Sequence, residues 1–151
     1  MDYDLIVVKT LERVYKNYYY IIRGEFNYSA INNIGVKNAS GEYLLLLNND
    51  TEIINNDGIS ELLGYCMRED VGIVGAKLYY NDDTVQHGGV VVGFGGIAGH
   101  TFIGFGKNEL GYFNRLVCAQ DYSAVTAACL MTKKSIRLLH ESKRFRKTGC
   151  I

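Results

Sequence analysis

The chain reads as an α/β domain built on a mixed, mainly parallel sheet. Three observations carry this expectation. Strand-like and helix-like segments alternate through the first half, the order that produces parallel pairing. "YLLLL", Tyr43 to Leu47, is a continuous apolar run of strand length, as found where both faces of a parallel sheet are covered. Between Asn56 and Glu69, Ile59, Leu62, Leu63 and Cys66 recur at i, i+3, i+4 and i+7, the stripe of an amphipathic helix.

Taken in order, Tyr3 to Val8 ("YDLIVV") reads as a short buried strand and "LERVYKN" as a helical turn or two. Tyr18 to Arg23 ("YYYIIR") is rich in residues that favour strands. A helix follows, with Ile31, Ile34 and Asn38 on one face, Asn27 or Ser29 as its N-cap and Gly41 as its stop. After "YLLLL" comes the 56–69 helix, which Asp57 can cap. "VGIVGAKLYY" and "TVQHGGVVVG" read as two strands separated by the turn-forming "NDD". Residues 93–122 are glycine-rich and irregular, "AVTAACLMT" is a last strand, and "KKSIRLLHESKRF" is a helix. No repeat or linker divides the 151 residues, so residues 1–151 are treated as a single domain.

Composition excludes several classes. Sixteen basic and sixteen acidic residues give no net charge, which argues against a nucleic-acid partner. The late basic cluster "KKSIRLLHESKRFRK" suits a surface helix, or a peripheral contact with an anionic membrane. Cysteines 66, 118, 129 and 150 lack C-x-x-C spacing, so no zinc site is expected, and Cys129 reads as a small buried hydrophobe. No apolar run is long enough to span a bilayer, and nothing points to a secreted disulfide framework. The expected location is therefore the cytoplasm.

The residues that carry chemistry follow "YLLLL". In α/β sheets, ligands bind beyond the carboxyl ends of strands. "NND" puts Asp50 at such an end, with Asn48 and Asn49 as uncharged hydrogen-bonding neighbours. A single carboxylate there can hold Mg²⁺ or Mn²⁺, which keeps several waters and takes phosphate oxygens from a substrate. The competing reading is that Asn-Asn-Asp-Thr is turn and capping chemistry.

"FNYSAINNIGVKNASGEYLLLLNNDTEI" resembles the family 2 nucleotide-sugar glycosyltransferases with the GT-A fold, and "NND" resembles the variant Asp-x-Asp motif of rhamnosyltransferase-like members. "VGIVGAKLYYNDDTVQHGGVVVG", "GGIAGHTFIG", "GYFNRLV" and "QDYSAVTAACLM" resemble the segments that follow in that family, so the likeness runs from about residue 24 to about residue 135. The resemblance implies a partial GT-A-like three-layer sandwich and transfer of a sugar from a nucleotide-diphosphate donor to an acceptor hydroxyl, with inversion. It also implies a glycan or lipid-linked acceptor, a place in cell-envelope or polysaccharide synthesis, and work at the inner face of the membrane. Asp50 would hold the metal. Asn32 and Asn33 would line the donor pocket from their helix, beside Asn48 and Asn49. Gly35 and Ala39 would be packing positions, His87 and His100 would lie beside the cleft, Asp121 would face the acceptor side, and Ala127 and Ala128 would leave room for the sugar.

The sequence departs from the family at both ends. Lys9 stands where the family's second strand ends in an acid, and the first strand–helix unit is missing. The tail after "ACLM" contains Glu141 as its one acid, in surroundings that do not match the family's catalytic base, so no base is assigned. Two rival readings remain. One is a catalytically inactive remnant that binds sugar nucleotides or a partner. The other is a dinucleotide-binding module signalled by "GFGGIA", Gly93 to Ala98.

Overall fold

The computed structural model describes the backbone of residues 6–9 and 17–20 and all of residues 27–136. Two short strands, β1 (Ile6–Lys9) and β2 (Asn17–Tyr20), pair antiparallel as a separate ribbon. The helical turns expected at residues 11–17 lie outside the described residues apart from Asn17, which begins β2. Of the helix expected at residues 133–145, Lys133 ends a strand and residues 134–136 form a turn; the remainder, with Glu141 and Cys150, lies outside the described residues.

Helix α1 (Tyr28–Asn38) starts at Asn27, whose side-chain oxygen accepts from the Ala30 N–H at 3.0 Å. The helix ends earlier than Gly41. Ala39 is already extended at the C-cap and still donates its N–H to the Gly35 carbonyl. The Lys134 ammonium then takes the Ala39 carbonyl, a cation at the negative end of the helix. Gly35 and Ala39 are both buried, as their packing role requires.

Strand β3 (Tyr43–Leu47) leads to helix α2 (Gly58–Cys66), and then to β4 (Ile73–Gly75). These elements match the hydrophobic pattern. Their pairing does not match the expected mainly parallel sheet. The last described strand, β9 (Cys129–Lys133), lies between β3 and β4 and is antiparallel to both. β3 and β4 therefore run in the same direction without touching, and every strand pair among the described residues is antiparallel. The physical reason lies in β9 itself: Cys129, Leu130, Met131 and Thr132 are all buried, with layers on both faces, and a strand so buried has no water at its edges, so its backbone groups are satisfied by a neighbour on each side. β3, by contrast, has one buried residue, Leu44, and forms an edge of this described sheet.

The register places Leu45, Met131 and Val74 in one row across the three strands. This row faces α2, where Ile59, Leu62, Leu63 and Cys66 pack against it. The opposite face carries Ile73, Leu130 and Leu46, covered by Tyr122, Val125 and Ala127. Alternate residues of each strand thus feed two cores, the period-two consequence of the pleat. Gly75 makes the second core possible: a Cβ there would lie 2.4 Å from Val125.

The remaining strands form two hairpins, β5 (Leu78–Tyr79) with β6 (Val85–His87), and β7 (Val90–Val92) with β8 (Ala98–His100). The "NDD" turn forms as expected, with the Asp82 carboxylate accepting from both the N–H and the hydroxyl of Thr84. "GFGGIA" is the tip of the second hairpin, closed by Gly93 N–H to the Ile97 carbonyl, and leads into a strand. A dinucleotide-binding turn must open a helix, so that reading is corrected. The described chain is a mixed α/β fold with few helices and several small antiparallel sheets.

Met131 is fully buried at the centre of the middle strand. Met131→Ala is expected to cost about 2–5 kcal/mol in urea unfolding. Met67→Ala, at a residue 58% exposed just after α2, is expected to stay within about 0.5 kcal/mol. Equal losses at the two positions would contradict the central placement of β9.

Candidate functional site: a cleft at the carboxyl end of β3

The ladder between β3 and β9 does not stop at Leu47. The Asn48 N–H donates to the Ala128 carbonyl at 2.9 Å, and the Asn48 carbonyl accepts from Thr51 N–H at 3.3 Å. The backbone is held up to the turn that carries Asp50, and the Asp50 side chain itself is exposed. Beyond the strand end opens a cleft of about 1350 Å³ lined by Asn48, Asp50 and Ala128. Pockets for one small molecule commonly run to about 300–1,000 Å³, so this one is large enough for an extended ligand or two adjoining ones.

The cleft is lined by groups of both charges. Asp50, Glu52, Asp57 and Glu61 contribute carboxylates from the β3 end and the start of α2. Lys77, Lys107 and Arg115 contribute cations from the segments after β4 and β8. Lys107 is paired with Asp83 at 3.1 Å. Lys77 instead donates to the Leu116 carbonyl at 2.9 Å, and Arg115 Nε donates to Gln120 Oε1 at 3.1 Å.

The other expected site residues are distributed differently. Asn49 is exposed beside Asp50, but it does not line the cleft. Asn32 and Asn33 are half-buried on α1, also away from the lining. The Asn32 amide is engaged within its own helix, donating to the Tyr28 carbonyl at 2.8 Å. Burial raises the Tyr28 hydroxyl's pKa against a smaller opposing effect of Asn32, and that hydroxyl donates to the Ala127 carbonyl at 3.1 Å. Asp121 is exposed, and its neighbours Gln120 and Tyr122 line the cleft in its place.

His87 and His100 meet, which their separation in the sequence did not reveal. Their Nδ1 atoms lie 2.9 Å apart and the rings are edge to face. The Thr126 N–H points at His87 Nε2 at 3.4 Å, so Nε2 accepts. His87 Nδ1 then carries the proton and donates it to His100 Nδ1. Both nitrogens of His87 are engaged, and the ring joins β6 to β8 and to the segment before β9. Burial, with a smaller contribution from His100, pushes the His87 pKa down to about 4. His87 is thus a neutral buried link at the cleft wall.

The two buried cysteines are not reactive thiols: burial pushes the Cys129 thiol up, and for Cys66 burial raises it against a smaller lowering by Lys133, so both stay protonated. Among the described residues no three His, Cys, Asp or Glu side chains come together to cage a metal ion.

Sequence reasoning passed over Tyr122, Arg115 and Lys77. The Gly88–Gly89 pair was the available signal, since glycine inside a strand pattern marks close approach. Gly89 has φ +111°, and a Cβ there would lie 2.5 Å from the Tyr122 ring. The ring lies against that backbone, and the Arg115 guanidinium sits 5.7 Å from its centroid.

The described chain thus defines an α/β protein with a strand-end cleft lined by the carboxylates Asp50, Glu52, Asp57, Glu61 and Asp83 and by the cations Lys77, Lys107 and Arg115. Two curated proteins are similar to it. A Sinorhizobium fredii (strain NBRC 101917 / NGR234) protein, "Uncharacterized protein y4gI", is 51% identical over 111 residues, covering 74% of this chain and 12% of that protein. The O-antigen biosynthesis protein RfbC of Myxococcus xanthus is 42% identical over 112 residues, covering 74% of this chain and 9% of that protein. The chain therefore spans a small part of the length of either relative. No protein-family model matches the chain, and no solved structure matches it significantly.

Two outcomes follow from this geometry. Gly89→Ala forces a Cβ into the Tyr122 ring at a backbone angle that side chains avoid, and is expected to cost about 2–4 kcal/mol in urea unfolding. The second concerns pH. The unfolded chain binds a proton at His87 near 6.5, whereas the folded chain resists it down to about 4. Stability is therefore complete above 6.5 and declines as pH falls toward 4. Asp70 and Asp82, held below the ordinary carboxylate value of 3.8 mainly by side-chain hydrogen bonds from Arg68 and Thr84, act below that window. Thermal melts from pH 7 to 4.5 should show a falling Tm in the wild type and a flatter profile in His87→Gln; identical profiles would refute the assignment.

Proposed function

We propose that this chain contributes the donor-binding part of a glycosyltransferase with a GT-A-like sandwich. It would transfer a sugar from a nucleotide-diphosphate sugar to an acceptor hydroxyl, with inversion, in the synthesis of a polysaccharide or other cell-envelope glycan. The observation that carries the reading is Asp50, an exposed carboxylate on a hydrogen-bonded strand end at the edge of a large cleft. The name of the Myxococcus xanthus relative, an O-antigen biosynthesis protein, agrees with a role in glycan assembly.

The residues present fit one kind of metal. With no cluster of three acidic or histidine ligands among the described residues, they cannot cage a dehydrated ion. They do suit Mg²⁺ or Mn²⁺, which needs one or two protein carboxylates when waters and phosphate oxygens complete the shell. Asp50 would hold that ion, and when bound it would offset the charge that develops on the leaving diphosphate. Asn48 would hydrogen-bond the donor without adding negative charge. Ala128, with no side chain beyond Cβ, leaves the adjoining space open for the sugar. Asn32, Asn33 and Asn49 belong to the wider donor-side expectation, and the geometry favours Asn48 and Asp50 over them. The acceptor would be a glycan or lipid-linked glycan, reached by peripheral contact with the cytoplasmic face of the membrane; no helix among the described residues is long and apolar enough to cross one.

The test is calorimetric titration of nucleoside diphosphates with and without Mn²⁺. Binding to the wild type should tighten with Mn²⁺, and Asp50→Ala should remove that gain, a loss of at least about tenfold. A Mn²⁺-dependent gain that survives in Asp50→Ala would overturn the metal assignment. Binding without sugar transfer or hydrolysis would assign the chain to the binding-only alternative.

A further inference from the structure

The cleft lining includes two cations without an ion-pair partner among the described residues. Among the described residues, neither Lys77 nor Arg115 has an acidic side chain within ion-pair distance, whereas Lys107 and Arg68 each have one. Lys77 is half-buried, and an ammonium taken partly out of water without a counter-charge is costly unless something anionic joins it. Lys77, between β4 and β5, reaches the loop that carries Arg115: its ammonium bonds the carbonyl of Leu116, the residue next to Arg115. The guanidinium is steadied from two sides, by Gln120 at Nε and by the Tyr122 ring at 5.7 Å. Its two terminal nitrogens, the forked pair that suits phosphate, have no hydrogen bond to any described residue. The Tyr122 ring, fixed against Gly89 and packed on the second core, holds the guanidinium by its face alone, because its hydroxyl is buried away from the cleft.

We propose that Lys77 and Arg115 form an anion site for a phosphate ester or diphosphate in the cleft. The site works without a metal ion and does not depend on the reading of Asp50. Like-charge repulsion keeps an anion off Asp50, Glu52, Asp57 and Glu61 unless a cation intervenes, so the carboxylates and the cations of the lining would hold phosphate groups by different means. The phosphate can belong to the nucleotide donor or to a lipid-linked acceptor, and the two sources share this chemistry.

The probe is inorganic pyrophosphate, titrated into the full chain at low ionic strength with EDTA present. Wild type should bind it at one site. Arg115→Gln should weaken binding by about tenfold or more, the factor expected when a charge-assisted hydrogen-bonding pair is lost. Arg115→Lys should fall between the two, and Asp50→Asn should not weaken binding. Arg115 is exposed, so its variants should melt with the wild type; should Lys77→Gln unfold, the Arg115 pair decides the matter. Absence of pyrophosphate binding, or equal affinity in wild type and Arg115→Gln, would overturn the site. So would a loss of metal-free binding in Asp50→Asn. Displacement of pyrophosphate by uridine diphosphate assigns the site to the donor, and displacement by an alkyl diphosphate assigns it to the acceptor. Displacement by neither marks an adventitious anion only and overturns the assignment to a substrate.

Discussion

The cleft depends on one placement, the buried strand Cys129–Lys133 between Tyr43–Leu47 and Ile73–Gly75. This strand closes the main hydrogen-bond ladder and supplies Met131 to the core under α2 and Leu130 to the core on the other face. Its approach also delivers Tyr122, Val125 and Ala128 to the rim where β3 ends. The Asn48–Ala128 bond is the last rung of that ladder and the first contact of the cleft. Packing and function thus share one structural cause: the segment that buries the second core also walls the site.

Two glycines permit that approach. Gly75 admits Val125 onto the sheet, and Gly89 admits the Tyr122 ring onto the β6–β7 segment. A methyl group at either would displace the residues that shape the cleft. The His87–His100 pair and the His87–Thr126 contact fasten the same region from the hairpin side. The cleft therefore rests on backbone ladders, close glycine contacts and a buried neutral imidazole, with few ion pairs. Arg68–Asp70 and Lys107–Asp83 are the ion pairs among the described residues, both are exposed, and exposed pairs contribute little.

Charges of both signs line the cleft. Carboxylates come from the strand end and the start of α2, and the cations without an ion-pair partner among the described residues are Arg115 and Lys77, which bonds the carbonyl of Leu116 next to Arg115. On the proposed reading, a metal would bridge one phosphate to the carboxylates and the cations would bind another directly. A lining of this kind would let a transferase hold two phosphate-bearing substrates.

Much of this was legible in local patterns. The stripe Ile59, Leu62, Leu63, Cys66, the N-cap Asn27, the "NDD" turn and the run Tyr43–Leu47 are each set by residues within a few positions of one another. Asp50 could be placed at a strand end for the same reason. The parallel sheet was a wrong expectation because an apolar run reports burial and does not report which strand comes to lie beside it. The partners were decided by long-range contacts: Asn48 with Ala128, His87 with His100, and Lys77 with Leu116. By itself the sequence determined where helices and strands form and which carboxylate stands at a strand's end, because short-range sterics and hydrophobic period control those features. Only the tertiary structure decided strand order, the tautomer of His87 and the company of Arg115, because these depend on which distant segments compete for the same buried surface.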